Sequence, residues 1–403
     1  TLMSNVKELS FLIGEALHIP GINFNSLEQL LVFLFEAASD KTVILAIDEY
    51  PYIRKMLNGM DSIFQKYIDK YKNKSKLKII LLGSYIDIMK SMIEYSSPLF
   101  GRFSLVLDIK QQSYYEASKY YDSYSLEEKV FLYSVLGGIP YYNSLVDSKK
   151  TPLENIISLI INENGILNFE SEIILGAELT KINGANEVLQ TIAKGYKKFT
   201  DIQSNSHIDK SNVLTNILKT LEAMDLIYKS SPINAQGNTK KTFYLLNDNF
   251  LLFYYKFIFP NKSRRKVMTA LDFYKMYIET SLAVTVVPKT FELICSQYLI
   301  RRNKAGLNNP LFEEIGKYWY DDPVNHINGE FDVVTIDKNG NNFYEAKYLS
   351  APITDTIIKE EENQLEKLNI SYSKLGFFSK SGYNLSKKYK YEFYTLQDIY
   401  TDF

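Results

Sequence analysis

The chain has 403 residues with 46 Lys and Arg against 47 Asp and Glu, a net charge of −1. That length allows two to three domains, and so small a charge gives no global field toward nucleic acid or a membrane surface, so any basic patch must be local. There is no apolar run of about eighteen residues to span a bilayer, no signal-peptide pattern at the start, and a single cysteine, Cys295, which is expected to pack as a small hydrophobe. His18, His207 and His326 lie far apart without cysteine partners, so a zinc site is not expected. Together these features point to a reducing, cytoplasmic setting.

The first residues predict a helix carrying Val6, Leu9, Phe11, Leu12 and Ile13, and Asn25 or Ser26 is placed to cap a second with Leu27, Leu30, Leu31, Leu34 and Phe35 on one face. Val43–Ile47 is an unbroken apolar run, the pattern of a strand buried on both faces in a parallel sheet. Asp48 and Glu49 follow at its carboxyl end, where open α/β sheets bind ligands. Asp48 is placed to hold hydrated Mg²⁺ and Glu49 to orient or deprotonate a water, the Walker B half of an ATPase site. Taken alone, Asp-Glu is better read as a buried strand ending in a solvated acidic turn; the elements that follow reverse that preference.

Met60–Tyr71 predicts a helix, and Lys78–Leu82 a second buried strand ending at Gly83-Ser84. In Ser97–Phe103, Arg102 stands out as a guanidinium suited to phosphate charge, with a surface salt bridge as the plain alternative. Ser125 and Glu128 form a capping box for a helix that ends at Gly137-Gly138-Ile139-Pro140. A G-x-x-x-x-G-K-[ST] phosphate loop is not found, and Gly316-Lys317 is followed by Tyr318. The chain starts at Thr1, so the expectation is that a preceding segment carries the first strand and phosphate loop. This chain alone should then bind nucleotide weakly or not at all.

Helices are predicted over residues 186–194, from Phe199, and from a Ser211 cap through Val213, Leu214, Ile217, Leu218 and Leu221. Strands 226–228 and 241–246 follow, separated by a polar wing, which is the pattern of a winged helix. Its lysines (Lys194, Lys197, Lys198, Lys210, Lys219, Lys240, Lys241) are few, so non-specific or no DNA contact ranks ahead of sequence reading, and a protein-contact role is open. Residues 248–260 form an aromatic core helix, and Asn261–Lys266 a basic, solvated linker.

Toward the C-terminus, Glu292 falls on a helix, and residues 329–336 and 342–348 read as two strands joined by an Asp337–Gly340 turn. Glu345 and Lys347 are two apart and share a strand face, with Asp332 brought beside them across the hairpin. Two carboxylates and a lysine on one face suit divalent-cation chemistry on phosphodiesters. A salt-bridged hairpin is the alternative. On the next helix, Gln364 is favoured over Glu361 and Glu362 to complete the site.

In order, Ile-Asp-Glu-Tyr-Pro-Tyr, Leu-Leu-Gly-Ser, Ser-Pro-Leu-Phe-Gly-Arg-Phe and Leu-Gly-Gly-Ile-Pro-Tyr-Tyr resemble the archaeal-type ATPases of the STAND/AAA+ P-loop group. The resemblance covers almost the whole chain. It implies an α/β class: an N-terminally truncated ATPase core over residues 1–110, a helical lid over 111–180, a winged helix over 181–260, and a PD-(D/E)xK nuclease-like domain over 261–403. It further implies ATP with Mg²⁺ at Asp48 and Glu49, with Ser84 as sensor 1 and Arg102 at the γ-phosphate. Gly137, Gly138 and Pro140 become the nucleotide-sensing lid element. In the C-terminal domain it implies Mg²⁺ or Mn²⁺ on Asp332, Glu345 and Glu292, with Lys347 as the catalytic lysine. The expected partners are nucleic acid, DNA foremost, and a protein through the winged helix. Oligomerisation is open and no membrane is expected. The rival is a nucleotide-switched scaffold with an inert nuclease fold.

Overall fold

The computed structural model describes residues 2–403 except 58, 84–85, 169–178, 180–181, 239–240 and 323–326. The described chain forms two compact units, residues 1–109 and 110–403.

In the first unit, β1 (Val43–Ile47) pairs in parallel with β2 (Leu77–Leu81). The connection between them carries the helices Tyr50–Met56 and Met60–Tyr71, as a parallel pair requires a crossover. Ser26 caps the helix Leu27–Ala37 by accepting from the Gln29 N–H. Leu31 and Phe35 of that helix join Phe64 and Tyr67 in a core against Leu45, Ile47, Ile79 and Leu81.

The expectation that β1 is buried on both faces is corrected. Helices cover one face of this two-stranded sheet, and the alternate residues turn away from them, leaving Ile44 65 % exposed. Past the strand ends the two segments stay paired, with Leu82 N–H donating to Ile47 and Tyr50 N–H to Leu82.

The second unit has a large apolar core that runs from Tyr114 to Ile399 and a smaller one around Phe331, Phe343 and Phe377. Ser125 and Glu128 make the capping box of the helix Leu126–Leu136, which ends at Gly137 with φ +66°. A Cβ on Gly137 would lie 2.4 Å from Asp248 Oδ1, and one on Gly138 would lie 2.1 Å from the Gln112 carbonyl. These glycines let two chain segments approach the helix end. Pro140 opens the short helix Pro140–Ser144, where its missing N–H costs nothing.

Helices Ala185–Ala193, Phe199–Asn205 and Ser211–Ala223 precede an antiparallel hairpin, β3 (Ile227–Ser230) with β4 (Phe243–Leu246). Ser211 is the first helical residue rather than the cap; Lys210 holds that position without a side-chain bond. The basic segment after the aromatic helix is not a solvated linker throughout. Arg265 is buried and donates to Asn168 Oδ1 at 2.9 Å.

The C-terminal sheet has the order β11-β9-β7-β6-β5. Strands β5 (Phe312–Asp322), β6 (Ile327–Asp337) and β7 (Gly340–Lys347) form an antiparallel meander. Then β9 (Lys374–Ser379) runs parallel to β7, and β11 (Glu392–Thr395) parallel to β9. The short strands β8 (Ile353–Thr354) and β10 (Tyr383–Asn384) pair apart from it.

The helix Val287–Lys304 packs Phe291, Cys295 and Tyr298 into the same core as Tyr344 and Phe378. The helix Asp355–Lys367 sets Ile358 and Leu365 among Phe331, Phe343 and Phe377. Side-chain alternation along the strands separates these two layers.

The segment between β3 and β4 is docked, not a free polar wing. Ile233 is buried among Phe331 and Val334, Asn234 exchanges bonds with the backbone of Trp319, and Phe243 packs on Trp319 with ring centroids 4.1 Å apart. A cavity of about 480 Å³ lies along this seam, lined by Asn234, Lys241, Trp319, Tyr320 and Lys367.

Candidate functional site

Two places in the chain carry the predicted chemistry, one in each unit. In the first, Asp48 stands exposed at the end of β1 and accepts the Glu49 N–H at 2.9 Å. Glu49 turns the chain into the next helix from a left-handed φ of +50°. Ser84, the expected sensor, lies outside the described residues. Arg102 is clamped by Asp69 in a two-pronged pair, Nε to Oδ1 at 2.9 Å and Nη2 to Oδ2 at 2.7 Å, and also donates to the carbonyls of Pro98 and Phe100. Its guanidinium is thus turned to Asp69 and the backbone. Arg54 is likewise fixed, on Asp61 at 2.9 Å and Ser91 at 2.8 Å, and Asp61 also accepts from the buried Tyr50 hydroxyl. In the second unit, Gly137, Gly138 and Pro140 serve the packing already described.

The denser constellation lies on the C-terminal sheet. The β6–β7 pairing ends at Val333↔Tyr344, and Asp332, one residue beyond, accepts the Ala346 N–H at 3.2 Å. Lys347 donates to Glu345 on its own strand and, at 3.3 Å, to Glu361 on the helix Asp355–Lys367. Gln364, favoured from sequence, instead donates to the Tyr320 hydroxyl at 2.8 Å. Glu361 is therefore the helix residue that reaches the lysine. It shares the buried stripe of Ile358 and Leu365, whereas Gln364 lies off it.

A second group adjoins Asp332. Carboxylate oxygens of Glu292, Glu330 and Asp332 come within 4.8 Å of one another. Glu330 was not singled out from sequence, although its two-residue spacing from Asp332 puts both on one strand face. Lys289 and Lys317 alternate with Glu292 and Glu330 in a closed ring. Lys289 lies 3.0 Å from Glu292 and 2.8 Å from Glu330, and Lys317 lies 2.6 Å and 3.0 Å from the same two. Trp319 Nε1 also donates to Glu330 at 3.1 Å.

The electrostatics follow from burial and crowding. Burial, then the charges of Glu345 and Glu292, push Asp332 up to about 8. Burial, then Glu361, pushes Glu345 up to about 7 against the pull of Lys347. Burial and Asp332 also raise Glu361, again against Lys347. Glu330 is driven the other way, to about 2, because Lys317 and Lys289 outweigh its desolvation. Lys347 is held well above the ordinary lysine range by Glu345 and Glu361, which overcome its burial. It is an ammonium at neutral pH, a donor and a positive charge rather than a base.

The donor set fits a hard divalent cation. Three carboxylates, two on β6 and one on the helix Val287–Lys304, have oxygens within 4.8 Å of one another, and sharing an ion with ligands about 2.1 Å away would draw them roughly 0.5–2 Å closer. Of the three, Asp332 is held near neutrality by burial and then by the charges of Glu345 and Glu292, a cost that a bound cation would offset.

Comparison with known proteins gives the following. Residues 254–376 match the DUF234 family, described as archaeal and bacterial proteins of unknown function. Over 318 residues the chain is 29 % identical to an uncharacterized protein of Methanocaldococcus jannaschii, covering 78 % of this chain and 69 % of that one. Among solved structures, a Walker-type ATPase of Pyrococcus abyssi overlaps with a TM-score of 0.47 at 17 % identity, covering 63 % of this chain and 79 % of that one. The Orc1 protein of Aeropyrum pernix in complex with DNA overlaps with a TM-score of 0.27 at 12 % identity, covering 64 % and 75 %.

Proposed function

We propose that the second unit carries a divalent-cation site for phosphodiester cleavage in nucleic acid, of the PD-(D/E)xK type, attached to a winged helix and to an AAA+-type ATPase core. The observation that supports this most is the convergence of Asp332, Glu345, Lys347 and Glu361 at the end of one strand pairing, with Glu292 and Glu330 beside them. Glu292, Glu330 and Asp332 would hold Mg²⁺ or Mn²⁺, with Glu345 next to them. When bound, the cation supplies a polarised water and neutralises charge on the phosphate.

Lys347, fixed between Glu345 and Glu361, points an ammonium toward the same site and orients a water or a phosphate oxygen by donating to it. Glu361 limits the directions Lys347 can take and so acts as a positioning residue. In the first unit, Asp48 and Glu49 are read as the Mg²⁺-holding and water-positioning pair for ATP. Arg102 acts at phosphate only if it leaves Asp69.

The test is Mg²⁺- or Mn²⁺-dependent cleavage of single- and double-stranded DNA and of RNA by this chain, beside Glu345→Ala and Lys347→Ala. Cutting that needs metal and is abolished by both substitutions supports the reading. A chain that binds neither metal nor nucleic acid sinks it. One observation favours a second reading, an inert platform. Both glutamates of the ring are already neutralised by lysines. Nucleic-acid binding without metal uptake would select it.

A further inference from the structure

In the ring beside Asp332, every carboxylate oxygen of the two glutamates already has a donor. Lys317 lies 2.6 Å from Glu292 Oε2 and 3.0 Å from Glu330 Oε1. Lys289 lies 3.0 Å from Glu292 Oε1 and 2.8 Å from Glu330 Oε1. The remaining oxygen, Glu330 Oε2, accepts the Trp319 indole N–H at 3.1 Å. A divalent cation on these oxygens, with ligands at about 2.1 Å, would lie no more than about 5 Å from both ammoniums. At that separation in a partly buried site a dication and an ammonium repel strongly, so metal and lysine compete for one place.

The two lysines are not held alike. The Lys289 side chain is 52 % exposed and starts from the first turn of its helix, whereas that of Lys317 is 32 % exposed. Lys317 is aimed by an irregularity in the sheet. The β5–β6 register passes from Gly316↔Val334 to Tyr318↔Phe331, so Lys317 alone stands opposite Asp332 and Val333. This is a bulge on β6, a device that bends a strand and re-aims its side chains. Trp319, two residues on, pairs directly with Glu330 and so shares the face of Lys317. The bulge that sets Asp332 therefore also sets the lysine against the neighbouring glutamates.

We propose that Lys317 is the resident counter-ion of the Glu292–Glu330 pair, and that a divalent cation enters by displacing its ammonium. The lysine holds the two carboxylates together before the metal arrives and limits how tightly the metal binds. A monovalent ion offers the glutamates no more charge than the ammonium it would expel, whereas a dication offers twice as much. The inference rests on the reading of these carboxylates as a cation site.

The experiment is Mn²⁺ titration of the full chain, read by quenching of Trp319, the only tryptophan, whose indole is bonded to Glu330. Lys317→Met and Lys317→Gln both remove the charge. They should bind Mn²⁺ about tenfold or more tighter than wild type, the worth of one hydrogen bond to a charged group. Lys317→Arg, which keeps a cation between the glutamates, should show no such gain. The gain should persist at about 1 M salt, where charges not in contact are screened.

Mn²⁺ affinity that is unchanged or lower in folded Lys317→Met and Lys317→Gln overturns the inference and leaves the cation site standing. A gain that vanishes at high salt also overturns it, because Lys317 would then act only as a distant charge. The cation-site reading fails separately. Quenching in the charge-removing variants but not in wild type supports Lys317 as the occupant and refutes a metal site in the native chain. Quenching in none of the chains overturns both.

Discussion

Replacing Asp332 with asparagine should stabilise the metal-free protein, and should do so only where the pH ionises the aspartate. Asp332 sits against Glu345 and Glu292 in a buried setting that moves it from 3.8 to about 8. That is roughly four decades of proton affinity at about 1.4 kcal/mol each, a ceiling near 6 kcal/mol. Burial is the larger cause and Glu345 the next, and asparagine still buries a polar amide, so on the order of 2–3 kcal/mol of that ceiling is expected.

The sign follows from linkage. A carboxylate raised in the folded state binds its proton more tightly there than in the unfolded chain. Its contribution to stability is complete below about pH 4 and is lost as pH rises through about 8. Asparagine titrates nowhere, and its amide oxygen still accepts the Ala346 N–H. The advantage of Asp332→Asn should therefore grow from about pH 4 and level off above about pH 8. Urea unfolding in the presence of a chelator, followed by fluorescence, measures it. The only tryptophan, Trp319, bonds to Glu330 in the same site, so the signal reports the right unit. A difference that does not change with pH, or a variant less stable than wild type at about pH 9, would refute the argument.

Further outcomes follow from the same geometry. Because Asp332 and Glu345 hold protons near neutrality, Mn²⁺ should bind more tightly as pH rises from about 6 to 8 and release protons on doing so. Calorimetry in buffers of different ionisation enthalpy reads this, and a flat profile contradicts it. Gly137→Ala combines a φ of +66° with a Cβ 2.4 Å from Asp248 Oδ1. It should cost roughly 2 kcal/mol or more, whereas an unchanged melting temperature would show that the helix end does not need glycine. Ile233→Asp puts a carboxylate among Phe331 and Val334. It should cost on the order of 3 kcal/mol and shift Trp319 emission to the red; unchanged emission would mean that the hairpin is not seated on β5.

How far the sequence could be read depended on whether the deciding information was local. The two strands bearing Asp332, Glu345 and Lys347 were legible because alternation and an Asp-Lys-Asn-Gly turn are written within a few residues. The helix with Glu292 was legible too. The choice of Gln364 over Glu361 failed on rotation of a helix about its axis. That rotation is set by Ile358 and Leu365, and their spacing includes Glu361 in the buried stripe. The burial of β1 was overstated because five apolar residues in a row do not say how many strands or helices flank them. The partner of Arg102 is Asp69, and no local pattern ties them. The docking of the β3–β4 connection had one clue, Ile233, an isolated large apolar residue in an otherwise polar stretch.

That docking has a consequence for how the second unit can move. β5 is an eleven-residue strand at the margin of the sheet, and a bare margin of that length invites pairing with another chain. Here the hairpin shields part of it, bonding the backbone of Trp319 through Asn234 and stacking Phe243 on the indole. Lifting the hairpin away would leave the Trp319 backbone and the face of its indole without these partners, so the margin is protected only while the hairpin stays docked.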